Sequence, residues 1–404
     1  MRVLVVDSNA GRGCLAAVRG LARGGWTVGV ATPARTGLPS LSRLTRHRHL
    51  LPPVTAGVEP YVQAVRGLVV RQGYSLVFAC SDAEVLALSE RRESIPACIP
   101  YASHRTVVRA IDKDQLGQAA RTVGLLTPPQ ASSARQAAEL WGPGAVIVKE
   151  SLHGALGADG HVSHVAPELC ADPQVAERRV SEIRASGGAA IVQPALEGRL
   201  MAFSSVVDRA GATLGRVQQV AERTYPLAAG LSVRARTVAV DVDLAGQVQA
   251  LLRELGWLGL CELQFLQPAK GQPVLLDLNG RFYGSLALAL AAGVNLPDLW
   301  ARCALGLPVG EVRDGRPDVR YQWMEGDLKA ARESTRGALA DAADCLRYAT
   351  RAHGSIWSAS DPLPGARAAA ALVVGGLGAL TPKRAVDGSG PPSERDPERG
   401  APDE

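Results

Sequence analysis

Lysine is scarce in this sequence of 404 residues. Only five of its 44 basic residues are lysines, and the other 39 are arginines. This ratio is typical of a GC-rich genome, in which arginine supplies most cations that need no particular shape. A lysine retained in such a chain is therefore a better candidate for a chemical role than a lysine in an average protein. The five are Lys113, Lys149, Lys270, Lys329 and Lys383.

Several classes of protein are excluded by what the composition lacks. None of the seven cysteines forms a CxxC pair, so the sequence predicts neither a zinc knuckle nor a disulfide framework. The 43 glycines and 26 prolines follow no G-X-Y period, which excludes collagen. A content of 47% apolar and 21% charged residues excludes disorder of the whole chain. The net charge of +5 is small for this length, and we expect no nucleic-acid partner.

The sequence also lacks a long apolar run. Its longest largely apolar stretch, 366–380, includes Arg367 and is shorter than the roughly 20 residues that a membrane span needs. Met1 leads directly into the strand-like residues 3–6, so we expect no signal peptide. These features predict a protein of the reducing cytoplasm with no membrane partner.

The pattern of predicted secondary structure and composition changes at three points along the chain. Alternating strand and helix patterns over 1–104 predict a Rossmann-like domain with a parallel sheet covered by helices. Mixed helices and strands follow over 105–305, and Ala- and Arg-rich helical patterns over 306–384. Residues 385–404 contain almost no apolar side chains and are predicted to be a disordered tail. We expect an α/β chain of two or three domains.

A glycine pattern opens the first helix. Gly11, Gly13 and Ala16 follow the first strand and fit G-x-G-x-x-G/A, which lets a pyrophosphate approach a helix N-terminus. An NAD site also needs an acidic residue at the end of the second strand, and residues 30–33 contain none. The pattern therefore favours a tight turn without a cofactor, and an NAD-dependent oxidoreductase is kept as the less favoured alternative.

A hairpin over 260–281 carries the strongest chemical signal. Both strands alternate in polarity, and Pro268 and Gly271 mark the turn between them. A turn centred between residues 269 and 270 would place Glu262 opposite Asp277, with Asn279 on the same face. Two opposed carboxylates repel each other unless a cation lies between them, and hard oxygen ligands suit Mg²⁺. A solvated hairpin face is the alternative.

Arg281 follows the hairpin directly, in the run Arg-Phe-Tyr-Gly-Ser. A guanidinium beside a metal site is placed to hold a transferring phosphoryl group. The alternative is an ordinary surface arginine in an arginine-rich chain.

With these residues in view, the sequence resembles the ATP-grasp superfamily, particularly its carbamoyl-phosphate-synthase-like carboxylate–amine ligases. The resemblance covers about 1–305, and its most specific element is 262–285. It implies an N-terminal domain that uses no dinucleotide, an α+β ATP-grasp domain of two subdomains over 105–305, and a helical C-terminal extension.

The resemblance also implies roles for individual residues. Glu262, Asp277 and Asn279 would bind the metal, and Arg281 and Arg223 would be catalytic. The predicted nucleotide-binding residues are the two lysines, the glycines of the loop after the second one, and the adenine-binding hinge: Lys113, Lys149, Gly154, Gly157, Gln193, Leu196 and Glu197.

The implied function is an ATP-dependent ligase that activates a carboxylate as an acyl phosphate and joins it to an amine. ATP and Mg²⁺, with Mn²⁺ as an alternative metal, would be its cofactors. Its partners would be small-molecule substrates, such as an amino acid or a peptide, and a homodimer is compatible with the family. Asp277 stands where the family usually has Glu, and Pro194 where relatives have an acid. A non-catalytic ATP-binding module is therefore a second alternative.

Histidines near the glycine-rich loop, a basic segment and a polar pair after a strand are further candidates. His153, His161 and His164 lie in or near the glycine-rich loop and favour a lid over a metal site. Residues 47–49 indicate a solvated basic loop. Ser81 and Asp82 follow a strand and either contact substrate or cap the next helix.

Overall fold

The structure is a computed structural model, and it describes residues 1–8, 11–152, 167–226, 230–333 and 338–380. The side chains of 338, 339 and 373–380 lie outside this description, as do the residues predicted to form the tail. Three sheets organise the described ranges. The α/β prediction is confirmed.

The N-terminal sheet has four parallel strands in the order β3-β2-β1-β4. Val3 to Val6 are fully buried because helices cover both faces of the sheet. The alternation predicted from the sequence is thereby confirmed. The elements are β1 (Arg2–Val6), α1 (Arg12–Arg23), β2 (Thr27–Thr32), α2 (Leu38–Leu41), β3 (Thr45–Leu50), α3 (Val58–Gln72), β4 (Leu76–Ala79) and α4 (Asp82–Glu90).

The prediction of a basic loop over 47–49 is wrong, because these residues belong to β3. β3 is an edge strand, and among the described residues it pairs only with β2. Its exposure alternates from residue to residue, so its charged side chains face solvent. Charged residues are common on edge strands, where they discourage pairing with other chains. A ring nitrogen of His49 lies 2.6 Å from the Tyr74 hydroxyl.

A small antiparallel sheet follows, in the order β6-β5-β7. Two consecutive helices precede this sheet and meet at Asp112, whose carboxylate accepts from the amides of Asp114 and Gln115 and so begins the second helix. The elements are α5 (His104–Ile111), α6 (Lys113–Thr122), α7 (Ala134–Trp141), β5 (Val146–Glu150), β6 (Glu168–Cys170), α8 (Pro173–Ala185) and β7 (Ala190–Pro194).

The largest sheet has the order β12-β11-β8-β9-β10-β13-β14. Its last two strands come from the segment after residue 306, so this segment is not only helical as predicted. The elements are β8 (Arg199–Val207), β9 (Thr213–Tyr225), β10 (Leu231–Val238), α9 (Val242–Leu255), β11 (Gly259–Gln267), β12 (Val274–Asn279), α10 (Leu286–Ala291), α11 (Leu296–Leu305), β13 (Arg320–Gln322), α12 (Met324–Arg332), α13 (Ala338–Ala349), β14 (His353–Gly354) and α14 (Pro362–Leu380).

The C-terminal segment also returns to the N-terminal domain. Asp361 is buried just before α14 and forms an ion pair with Arg19 of α1 at 2.9 Å. The Ser42 hydroxyl and the Arg43 amide donate to the same carboxylate. The first helix is therefore held to the segment that leads into the last helix. In the described ranges no helix combines the length and apolar character needed to cross a membrane.

The glycines of the first helix serve packing. A Cβ at Gly13 would lie 2.7 Å from the Tyr283 carbonyl oxygen and 3.0 Å from the Phe282 oxygen. The backbone of residues 282–283 therefore occupies the space beside Gly13, where a dinucleotide would have to approach. This contact explains Gly13 without a cofactor.

We expect Gly13→Ala to destabilise the fold by about 1–3 kcal/mol, because the neighbouring atoms belong to a buried backbone and cannot move aside. The matched control is Gly246→Ala within α9, where an added Cβ meets no atom of the described residues within 4 Å. The control should stabilise the protein by about 0.5–1 kcal/mol through helix propensity. Urea unfolding of both variants measures the difference. Equal effects would show that α1 does not pack against residues 282–283.

Candidate active site

The polar face of the β11–β12 hairpin forms the centre of the candidate site. Glu262 lies opposite Asn279, and Gln264 lies opposite Asp277. The predicted pairing of Glu262 with Asp277 is therefore wrong by two residues. A bulge after Gln264 and a longer turn shift the register. All four side chains still share one face, because opposed residues and residues two apart along a strand point the same way.

Glu262 is buried within this polar face and is only 3% exposed. Its Oε2 accepts from Asn279 Nδ2 at 2.9 Å and from Gln264 Nε2 at 3.2 Å. Burial raises the pKa of Glu262 to about 7, although the charge of Arg281 and these hydrogen bonds oppose the rise. The ionised carboxylate is therefore disfavoured in the absence of a bound cation, which would reverse that preference.

Two buried lysines lie beside Asp277. Lys113 begins α6, and its Nζ is 3.6 Å from Asp277 Oδ2. Lys149 lies on β5, and burial, followed by the charge of Lys113, lowers its pKa to about 8. The amide of Lys113 donates to the Ser151 carbonyl at 3.0 Å, which fixes the start of α6 to the end of β5. Two cations buried near each other, with one acid close to them, suit an anionic ligand.

Arg281 joins the hairpin to the N-terminal domain. Its Nε and Nη2 donate to both oxygens of Asp82 at 2.8 and 3.1 Å, and Nη2 also donates to Asn279 Oδ1 at 3.1 Å. Burial would lower the pKa of Arg281, but the Asp82 carboxylate more than offsets this and raises it. The guanidinium is thus held in one orientation beside the polar face of the hairpin.

Ser81 and Asp82, which follow β4 after Cys80, have separate roles. Ser81 caps α4, since its hydroxyl accepts from the Glu84 amide while Glu84 accepts from the Ser81 amide. Asp82 instead faces Arg281. Both residues were predicted to contact substrate or cap the helix, and the pairing of Asp82 with a residue 199 positions away is visible only in the structure.

The predicted hinge lies at the end of β7 and in the loop after it. Gln193 is buried and pairs with Ile147, two residues before Lys149 on β5. Leu196 and Glu197 are exposed in the loop between β7 and β8. Gly154 and Gly157 lie outside the described residues, as do His153, His161 and His164.

Arg223 forms its ion pairs with the C-terminal helices. Its Nη1 is 3.0 Å from Asp327 and its Nη2 is 3.4 Å from Asp341. Arg234 shares Asp327 at 2.7 Å and also contacts Asp344. Across the described part of the chain no ion pair joins Arg223 to the hairpin face. No sequence pattern indicates this network, because its acids lie on amphipathic helices where acidic residues are ordinary.

Comparison with known proteins agrees with this architecture. Residues 190–327, about a third of the chain, match the family model described as ATP-grasp in the biosynthetic pathway with Ter operon. No curated protein matches the sequence significantly.

Solved structures of ATP-grasp proteins have a similar fold. Biotin carboxylase from Campylobacter jejuni is 13% identical, with a TM-score of 0.61 over 78% of this chain and 74% of that one. The L-amino acid ligase from Bacillus licheniformis is 13% identical, with a TM-score of 0.59 over 79% and 78%. The N5-carboxyaminoimidazole synthetase from Staphylococcus aureus is 10% identical, with a TM-score of 0.58 over 79% and 80%.

The fold is thus similar to that of ATP-grasp proteins. Because residues 190–327 also match an ATP-grasp family model, the resemblance found in the sequence is confirmed.

Proposed function

We propose that this protein is an ATP-dependent carboxylate–amine ligase. A carboxylate oxygen of one substrate attacks the γ-phosphorus of ATP, the bond from that phosphorus to the β,γ-bridging oxygen breaks, and ADP leaves. The amine nitrogen of a second substrate then attacks the acyl carbon of the acyl phosphate. The carbon–oxygen bond to phosphate breaks, the nitrogen loses a proton, and an amide and phosphate result.

The observation that carries this proposal is the cluster of Lys113, Lys149 and Asp277 beside Glu262. The two ammonium groups would neutralise phosphate oxygens of ATP, with Gln193, Leu196 and Glu197 on the nucleotide side. Because buried like charges are unfavourable alone, a bound polyphosphate would relieve the repulsion between the lysines. Catalysis of phosphoryl transfer requires mainly such positioning and charge neutralisation.

The chemistry of the hairpin face fits a magnesium ion. Glu262 and Asp277 supply carboxylate oxygens and Asn279 an amide oxygen, which are the hard ligands that Mg²⁺ and Mn²⁺ prefer. The raised pKa of Glu262 supports the same assignment, since a cation would compensate a buried carboxylate. When bound, the ion would draw charge from the phosphate oxygens. Asp82 would hold Arg281 in place to bind the transferring group.

The substrate class is proposed from the relatives. One of them is an L-amino acid ligase, and the matching family model names a biosynthetic pathway. We propose amino acids or small peptides as the source of the carboxylate and the amine, and a cytoplasmic site of action. Arg223 is proposed to act on the substrate side through the C-terminal helices that it contacts.

The proposal is tested by incubating the protein with MgATP and mixtures of amino acids. A product with the mass of two amino acids less one water, formed together with ADP, is expected by mass spectrometry. Omission of Mg²⁺ should prevent both. ATP binding without ADP formation in any mixture would instead indicate a non-catalytic module, and saturable NAD binding would favour an oxidoreductase.

A further inference from the structure

Arg12 is a half-buried cation between the N-terminal domain and the C-terminal segment. The centre of its guanidinium lies 3.6 Å from the centroid of the Trp323 ring. Its Nη1 donates to the Tyr321 hydroxyl at 3.0 Å. Both partners are neutral, so they fix the orientation of the guanidinium without neutralising its charge.

Arg12 differs in this respect from other arginines of the interior. Among the residues that the structure describes, no carboxylate lies within ion-pair distance of Arg12. Each of the following arginines forms an ion pair with at least one aspartate: Arg19, Arg223, Arg234 and Arg281. A guanidinium that is partly desolvated and oriented, but not neutralised, is suited to bind an anion from outside the chain.

The position of Arg12 relates it to the candidate active site. Arg12 follows β1 at the carboxyl edge of the N-terminal sheet, where the strand order reverses between β1 and β4 and where sheets of this kind bind ligands. The Tyr321 hydroxyl, which accepts from Arg12, donates to the Gly284 carbonyl at 3.0 Å. A Cβ at residue 284 would lie only 3.0 Å from Arg12 Nη2. Arg12 therefore lies directly against the loop that carries Arg281.

We propose that Arg12 binds a second carboxylate of the substrate, separate from the carboxylate that is phosphorylated. This inference rests on the proposed ligase function, because the carboxylate of an amino acid or peptide stays free when its amino end reacts. Trp323 offers an additional donor, since its buried Nε1 has no hydrogen-bond partner in the ranges described. Arg12 and Trp323 would then select carboxylate-bearing substrates over their amides.

A binding experiment tests the site without requiring turnover. Acetate is titrated into the protein while tryptophan emission is recorded, because the guanidinium stacks on Trp323. A saturable change is expected in the wild type, and it should disappear in Trp323→Phe. Arg12→Gln should require at least tenfold more acetate, since it loses a charge-assisted hydrogen bond. Arg23→Gln is the matched control, since it removes an exposed cation from the same helix and should bind as the wild type does.

Further titrations test whether the bound anion is a carboxylate and whether Arg12 binds it. Inorganic phosphate is titrated in parallel, and tighter binding of phosphate than of acetate would overturn the assignment to a carboxylate. Identical acetate curves for the wild type and Arg12→Gln would overturn the site itself. Arg12→Lys, which keeps the charge but loses the planar stack, should fall between the two. Melting temperatures within a few degrees of wild type show that each variant is folded.

A kinetic experiment then separates this site from the ligase proposal. With a substrate found by mass spectrometry, Arg12→Gln should raise its KM about tenfold to a hundredfold and leave the KM for ATP unchanged. Amidation of the second carboxylate should cause the same loss in wild type and no further loss in Arg12→Gln. Arg12-dependent acetate binding without any ligation would contradict the ligase and not the site. Ligation with an unchanged KM would contradict the site and not the ligase.

Discussion

Replacing Glu262 with glutamine should abolish ADP formation and remove the stabilisation that MgATP gives to the folded protein. The amide cannot supply the anionic oxygen that a buried divalent cation requires. Wild-type protein with MgATP should melt at a higher temperature than without it, by mass action on the folded state. The same comparison for Glu262→Gln should show almost no shift. Glu90→Gln, on an exposed side chain, is the control and should behave as wild type.

The same variant should be more stable than the wild type when no metal or nucleotide is present. The pKa of Glu262 is about 7 in the folded protein and 4.5 as its ordinary value. A folded pKa above the unfolded one gives stability that is present below pH 4.5 and is lost as the pH rises through 7. The loss amounts to about 3 kcal/mol, from 1.36 kcal/mol per pKa unit. Urea unfolding with a chelator should therefore show a decline in the wild type from pH 5 to 8 that Glu262→Gln lacks.

Asp277→Asn is a second test of the same site. It should also abolish ADP formation, and the double variant should lose little more activity than either single one, because residues that act as a unit are not additive. An unchanged MgATP shift in both single variants would show that the polar hairpin face is an ordinary solvated surface. The ligase proposal would then lose its principal support.

Replacing Lys149 with arginine should weaken ATP binding about tenfold to a hundredfold, although the charge is kept. Lys149 is 8% exposed and feels the charge of Lys113, so we expect a larger planar group to fit poorly at this buried position. The control is Lys329→Arg on the surface of α12, where the side chain pairs with Glu325 at 3.0 Å. Calorimetric titration of ATP into both variants measures the difference. Equal affinities would mean that Lys149 does not contact the nucleotide.

Lys149→Met removes the charge at this position and should show what the buried Lys149 charge costs the folded protein. Its apo form should be more stable than wild type at pH 7, because a cation whose pKa is lowered to about 8 is unfavourable when buried. This advantage should shrink as the pH rises from 8 towards 10.5, where the wild-type lysine loses its proton in the fold before it does in the unfolded chain.

The sequence alone determined the local elements and the types of residue in the site. Strands such as Leu76–Ala79 are determined by short apolar runs bounded by turn residues, so they can be predicted from the sequence without knowledge of the fold. The polar alternation of the hairpin indicated Glu262 and Asp277 as site residues, and the scarcity of lysine indicated Lys149. Both signals are local patterns or composition, which are properties of the chain itself.

Only the tertiary structure decided which of these residues meet. The register of the hairpin depends on a bulge that no residue type specifies, so Glu262 faces Asn279 and not Asp277. Asp82 and Arg281 are joined by the docking of the N-terminal domain on the hairpin, across 199 residues of chain. Arg12 becomes a site candidate only because Trp323 and the Gly284 loop pack against it. Contacts of this kind depend on burial and on long-range packing, which local sequence patterns do not encode.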